Sequence, residues 1–345
     1  MNPHKKTKNC ILLGVGMLFI LLLLAVITLS NGAMKLEFGK ILRILWAMLT
    51  QDATVRSLFK ANEVAVIWEI RLPRILCGMF VGGGLAVAGA IFQAILCNPL
   101  ADPYTLGVST GAAFGASLAI LCSVLWGIVI PITAVSMATA FLTLLLVIFI
   151  AEKGGGLASE NLIISGIIIS SILSSGISFL KMMAGENVGA IVFWLMGSLS
   201  SRHWADVLTV APVVTLGLGI AFYFANDLNI MLLGDESAQA LGINTGRTRL
   251  IYLIIGACIT AACVAVSGII GFIGLVIPHM LRFRLTSNNR ALLPLSALAG
   301  AIILSIADNA TRLLSAGEIP VGVLTTLIGG PFFIYVFVRR KKYEP

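Results

Sequence analysis

"EIRLPRILCGMFVGGGLAVAGAIFQAILCNPLADP", residues 69–103, decides the architecture of this chain. Arg71 and Arg74 stand at its start, an apolar, glycine-rich run follows, and a polar turn broken by Pro99 and Pro103 closes it. The run from 72 to 96 matches a bilayer core of ~30 Å, which a helix crosses in about 20 residues. Lipid offers the backbone no hydrogen-bond partner, so such a run must be helical.

The rest of the chain repeats that pattern. Its 345 residues are 59% hydrophobic and 11% charged, with mean hydropathy +1.03, far from the composition of a soluble domain. Spans are expected at 11–30, 72–96, 104–125, 128–150, 161–182, 205–226, 248–268, 270–285, 293–314 and 320–338. The fold class is therefore all-α, a polytopic membrane protein with about ten transmembrane helices forming one domain over 1–345. The first span follows Lys5, Lys6 and Lys8 but exceeds the ~7–15 apolar residues of a signal peptide, so it reads as a retained anchor.

Charge sets the orientation. Lys and Arg in short flanks mark the amino terminus, Lys153, Arg247 with Arg249, Arg282 with Arg284 and Arg290, and "RRKK" at 339–342 as cytoplasmic ends, so both termini lie inside. The net charge of +8 is thereby explained without nucleic acid, because no single polar face collects it. Residues 31–71 face outward by this count yet carry Lys35, Lys40, Arg43, Arg56, Lys60 and Arg71, a surplus that suits either an acidic partner or a merely solvated loop. The six cysteines form no C-x-x-C pair and sit mostly in apolar spans, as packing residues rather than metal ligands; no metal site is expected.

Motifs for covalent chemistry fail on context. "GVSTG" at 107–111 fits G-x-S-x-G with Ser109 as nucleophile, but that motif needs a strand before it and a histidine and carboxylate in reach, whereas here it opens a membrane helix. The phosphate cradle G-x-x-x-x-G-K-[ST] is absent, since the Gly39–Lys40 pair is followed by Ile41, so ATP must be bound by another chain and no cofactor directly by this one. Most carboxylates lie in loops or at span ends; Asp308 is the exception, with Arg312 one turn later as its expected ion-pair partner.

Other features are structural or ambiguous. Ser171, Ser174, Ser175 and Ser178 share one helical face, which suits a path lining or close helix packing. Gly107, Gly111 and Gly115, four apart, read as packing positions. Residues 190–199 are expected to form a half-helix dipping in from outside, of the kind that borders substrate paths. A faint echo between "LAVAGAIF" (85–92) and "VAVSGIIGF" (264–272) suggests an inverted repeat of spans 2–5 and 7–10. The cytoplasmic loop 227–247 has an acidic turn, a short helix and a glycine stop at Gly242, fitting either a docking element or a connector on the membrane surface.

Five ordered motifs carry a resemblance: "RLPR" (71–74), "NPLADPYTLGVSTGA" (98–112), "LGDESAQALGI" (233–243), "GFIGLVIPHMLR" (271–282) and "EIPVGVLTTLIGGPFF" (318–333). Together they resemble the FecCD family of permease subunits, which serve ATP-driven importers of iron-siderophore complexes, haem and vitamin B12. The resemblance implies a ten-helix permease in the bacterial cytoplasmic membrane, paired with a second permease subunit, identical or related. It further implies two ATP-binding cassette ATPases below and an extracytoplasmic binding protein with acidic docking residues above.

By the same resemblance, the coupling contacts to the ATPases fall on Gly234, Asp235, Glu236, Ala240, Leu241 and Gly242. Binding-protein docking falls on Arg71, Arg74 and Arg312, and a cytoplasmic gate on Asn98, Leu100 and Ser159. The alternative from another class is a self-sufficient proton-coupled secondary transporter.

Overall fold

The computed structural model describes residues 3–31, 34, 36–314 and 319–340; Lys35, Glu318 and residues 341–342 of the terminal basic run fall outside them. Among the described residues there is no strand. Ten helices answer the ten expected spans: α1 (Pro3–Ser30), α5 (Leu72–Ile95), α6 (Val108–Trp126), α7 (Ile132–Lys153), α8 (Ser159–Ala184), α10 (Trp204–Tyr223), α13 (Thr245–Ser267), α14 (Ile273–Arg284), α15 (Asn289–Leu314) and α16 (Val321–Arg340). Among the described residues, eight helical runs are long and apolar enough to cross a membrane; α14 and α16 fall short of that measure, α14 having only 12 residues.

The remaining helices are short: α2 (Phe38–Thr50), α3 (Ala53–Arg56) and α4 (Ala61–Ala65) in the segment expected to face outward, α9 (Val188–Leu195) after α8, and α11 (Ala225–Met231) and α12 (Asp235–Ala240) in the loop expected to be cytoplasmic. Residues 31–71 are therefore not a plain loop. The stretch 61–95 is one helical run, in which Val66–Arg71 forms a wide π turn joining α4 to α5. Helix α2 lays Ile41, Ile44 and Ala47 inward, because its apolar residues recur at three- and four-residue spacing, and leaves Arg43 exposed.

Helix α5 is the axis of the bundle, packed by α15, α13, α10 and α14. Its glycines explain how. A Cβ at Gly82 would collide with the backbone of Gly300 on α15, and one at Gly89 with the backbone of Gly274 on α14. Small residues lower helix propensity but let membrane helices approach to backbone contact, where dispersion rather than hydrophobic transfer holds them. Gly111 and Gly115 do the same for α6 against Thr143 and Thr139 of α7, as their spacing indicates.

Three irregular segments interrupt the bundle, at 97–107, 196–203 and 268–272. Gly274 is flanked by Pro103 on one side and the Leu85 carbonyl of α5 on the other, ten residues and about 15 Å from the end of α5. The segment after the cytoplasmic turn thus folds back into the protein before α6 starts. There the Tyr104 hydroxyl donates to the Ile270 carbonyl at 2.5 Å, and Ser198 N–H donates to Ser267 at 2.7 Å. Non-helical backbone is tolerated at such depth only where protein supplies its partners. The short α14 follows directly, because 268–272 takes up part of its crossing.

The expected half-helix at 190–199 is shorter, with α9 ending at Leu195 and Gly197 turning at φ 70°. The two echoing strings lie in unlike structure: 85–92 is inside α5, whereas 264–272 runs past the end of α13.

Candidate functional site

On the outer side the three arginines assigned to docking are engaged within the chain. Arg71, 4% exposed, donates to the carbonyls of Leu29 and Met34. Leu29 lies in the last turn of α1, where carbonyls lack helical partners and a cation is favoured. Arg74 donates Nε to both oxygens of Asp308, at 3.2 and 3.1 Å, and Nη2 to Oδ1 at 2.9 Å. Asp308 therefore takes its partner from α5 across the α5–α15 contact, where the planar guanidinium meets both carboxylate oxygens. Arg312 donates Nη2 to the Asn31 carbonyl at 3.3 Å. Among the described residues of 36–71, Arg43, Arg56 and Lys60 are exposed, beside exposed Trp46, Leu49 and Leu58, and Arg312 is half-buried.

On the inner side, α12 is a short helix between two left-handed glycines, Gly234 at φ 88° and Gly242 at φ 86°. Backbone of that kind favours glycine at both positions. Ala238 is buried, while Glu236, Ala240, Leu241 and Gly242 are exposed; Leu233 and Leu241 are 60% and 61% exposed. Asp235 is different. Its side chain stays 40% exposed but pairs with the buried Arg249 of α13, Oδ1 to Nη2 at 2.5 Å and Oδ2 to Nη1 at 3.1 Å.

The gate positions lie beside this pair. Asn98 closes the turn after α5 by accepting from Leu100 N–H at 2.9 Å, and Leu100 is 37% exposed. Cys97, at φ 48°, donates Sγ to the Met231 carbonyl of α11 at 3.2 Å. Ser159 begins α8 behind the loop 154–158. The coupling and gate assignments therefore meet on one face, and the docking arginines lie at the opposite ends of α1, α5 and α15. Arg249, counted at the sequence level only for orientation, is 3% exposed at the centre of the inner group. Its place inside a helical first turn, with apolar residues following, was the available signal.

Elsewhere, Ser171, Ser174, Ser175 and Ser178 lie exposed on α8, and three of them hydrogen-bond their own helix four residues back. Ser109 is buried at the start of α6 with no strand before it, which removes the nucleophile-elbow context.

The profile of the FecCD transport family matches residues 20–339. This chain belongs to the FecCD transport family. Among its relatives, the cobalamin import system permease protein BtuC of Halobacterium salinarum is 39% identical over 86% of this chain and 80% of the relative. The hemin transport system permease protein HmuU of Yersinia pestis is 37% identical over 94% and 95%. A solved structure of a metal-chelate type ABC transporter in an inward-facing conformation superimposes with TM-score 0.81 at 33% identity, covering 95% of this chain and 99% of that one. The FecCD chain is thus a multi-pass permease of the ABC importer class in the cytoplasmic membrane.

Proposed function

We propose that this permease forms half of an import path for a bulky metal chelate of the iron-siderophore, haem or cobalamin type. In this reading it pairs with a second permease chain, two ATPases dock beneath it, and a binding protein delivers cargo from outside. A charged chelate cannot dissolve in lipid, so it needs a sealed path opened on one side at a time. ATP-driven closure of the ATPases shifts the population between inward and outward forms, and the permease itself breaks no bond.

The observation that carries this reading is the exposed α12, which offers Glu236 and Leu241 to the cytoplasm on a chain without a phosphate cradle. An acidic first turn and an apolar edge, set between glycines, suit a groove on another protein. The exposed serine face of α8 fits a wall completed by the second permease. The rival, proton-driven reading loses its candidate relay, since Asp308 is held by three hydrogen bonds from Arg74.

Glu236→Arg tests the reading. Reconstituted with its ATPases and binding protein, the variant is expected to release the ATPases or to hydrolyse ATP without uptake. An intact complex with normal uptake would count against α12 as the coupling element.

A further inference from the structure

Arg249 has five N–H groups in one rigid plane, and its four hydrogen bonds reach three separate segments. Nε donates to the Ile95 carbonyl at 3.0 Å, at the last residue of α5 and three residues before Asn98. Nη1 donates to the Leu157 carbonyl at 2.9 Å, two residues before Ser159. The same nitrogen and Nη2 hold the Asp235 carboxylate of α12. No other side chain among the described residues bonds to all three segments.

The geometry makes this more than a local pairing. The loop 154–158 begins with three glycines, Gly155 and Gly156 at φ 121° and 102°, whose N–H groups bond back to the Glu152 and Ala151 carbonyls at the end of α7. It is fixed by Arg249 at Leu157 and by Asn161, whose Nδ2 donates to the Gly156 carbonyl at 3.0 Å. A second bond toward the coupling loop, from Cys97 Sγ two residues past α5 to the Met231 carbonyl, uses a weak sulfur donor. Charge-assisted bonds to Asp235 are the stronger and more directional route.

We propose that Arg249 is the positioning residue that joins the coupling helix to both candidate gates, so that displacement of α12 reaches Ile95 and Leu157 through one guanidinium. This rests on the importer reading above. Lysine cannot serve in its place, because a single ammonium does not reproduce a fork that meets three acceptors in one plane.

The test uses the whole transporter, with its ATPases and binding protein in proteoliposomes. Cargo carried per ATP hydrolysed is the readout, and complex yield is the control. Arg249→Ala is expected to lower that ratio at least tenfold, Arg249→Lys to restore less than half of it, and Asp235→Asn to lower it several-fold. Spin labels at Leu100→Cys and Leu241→Cys, in a chain without Cys97, give a second measure independent of cargo. Their separation should stay constant on nucleotide binding when Arg249 is present and change when it is alanine. An unchanged ratio in Arg249→Ala, or full rescue by lysine, overturns the inference and leaves the importer reading standing. A wild-type complex without ATP-driven uptake overturns both.

Discussion

Asp308 shows how a single buried charge is made tolerable in a membrane. Its carboxylate is 6% exposed and Arg74 is 12% exposed, so each is the other's replacement for water. Removing one partner should therefore cost more than removing both. Asp308→Ala takes the carboxylate away from Arg74 Nε and Nη2 and is expected to destabilise by up to about 3–5 kcal/mol, whereas the double variant Asp308→Leu with Arg74→Met should recover most of it. Thermal unfolding of the purified protein in detergent reads both, and equal losses in the two variants would refute the pairing argument. The partner of Asp308 could not be read locally. Arg312 stands one turn away in sequence, but Arg74 is brought to it from 234 residues away by the α5–α15 packing.

At the scale of elements, the outer layer separates bracing from display. Arg71 ties the π turn to the end of α1, Lys40 pairs with Glu63 at 2.6 Å, and Trp204 Nε1 donates to the Trp68 carbonyl at 3.0 Å. Arg43, Arg56 and Lys60 are left exposed. Changing these three to glutamate should weaken binding-protein-dependent uptake at least tenfold and invert its salt dependence, because repulsion replaces attraction across the contact. Arg71→Gln should instead lower the melting temperature with little change in binding-protein affinity. A loss of affinity in that variant at unchanged melting temperature would return Arg71 to the docking surface. The α5–α15 contact makes a further prediction: Gly82→Leu forces the helices apart at Gly300, an overpacking cost of about 1–3 kcal/mol or more, visible as a lower melting temperature.

For the whole molecule, α8 leaves Ser171, Ser174, Ser175 and Ser178 exposed on one face. If a second permease completes a water-filled path there, Ser174→Cys and Ser175→Cys in a Cys97-free background should react with a membrane-impermeant thiol reagent in the assembled transporter. Protection of both would place that face in lipid or in a dry interface. Composition and run length were enough to determine a polytopic helical bundle and its span order, because lipid imposes helical backbone, and loop charge supplied the expected sidedness. Ordered motifs pointed to the family that the comparison then showed. Only the tertiary structure decided which charges are free. It buried Arg71, gave Asp308 to Arg74, folded 97–107 back toward Ile270, and placed Arg249 between three segments. Those outcomes depend on contacts between helices far apart in the chain, set by glycine-to-backbone fits that one-dimensional hydropathy does not encode.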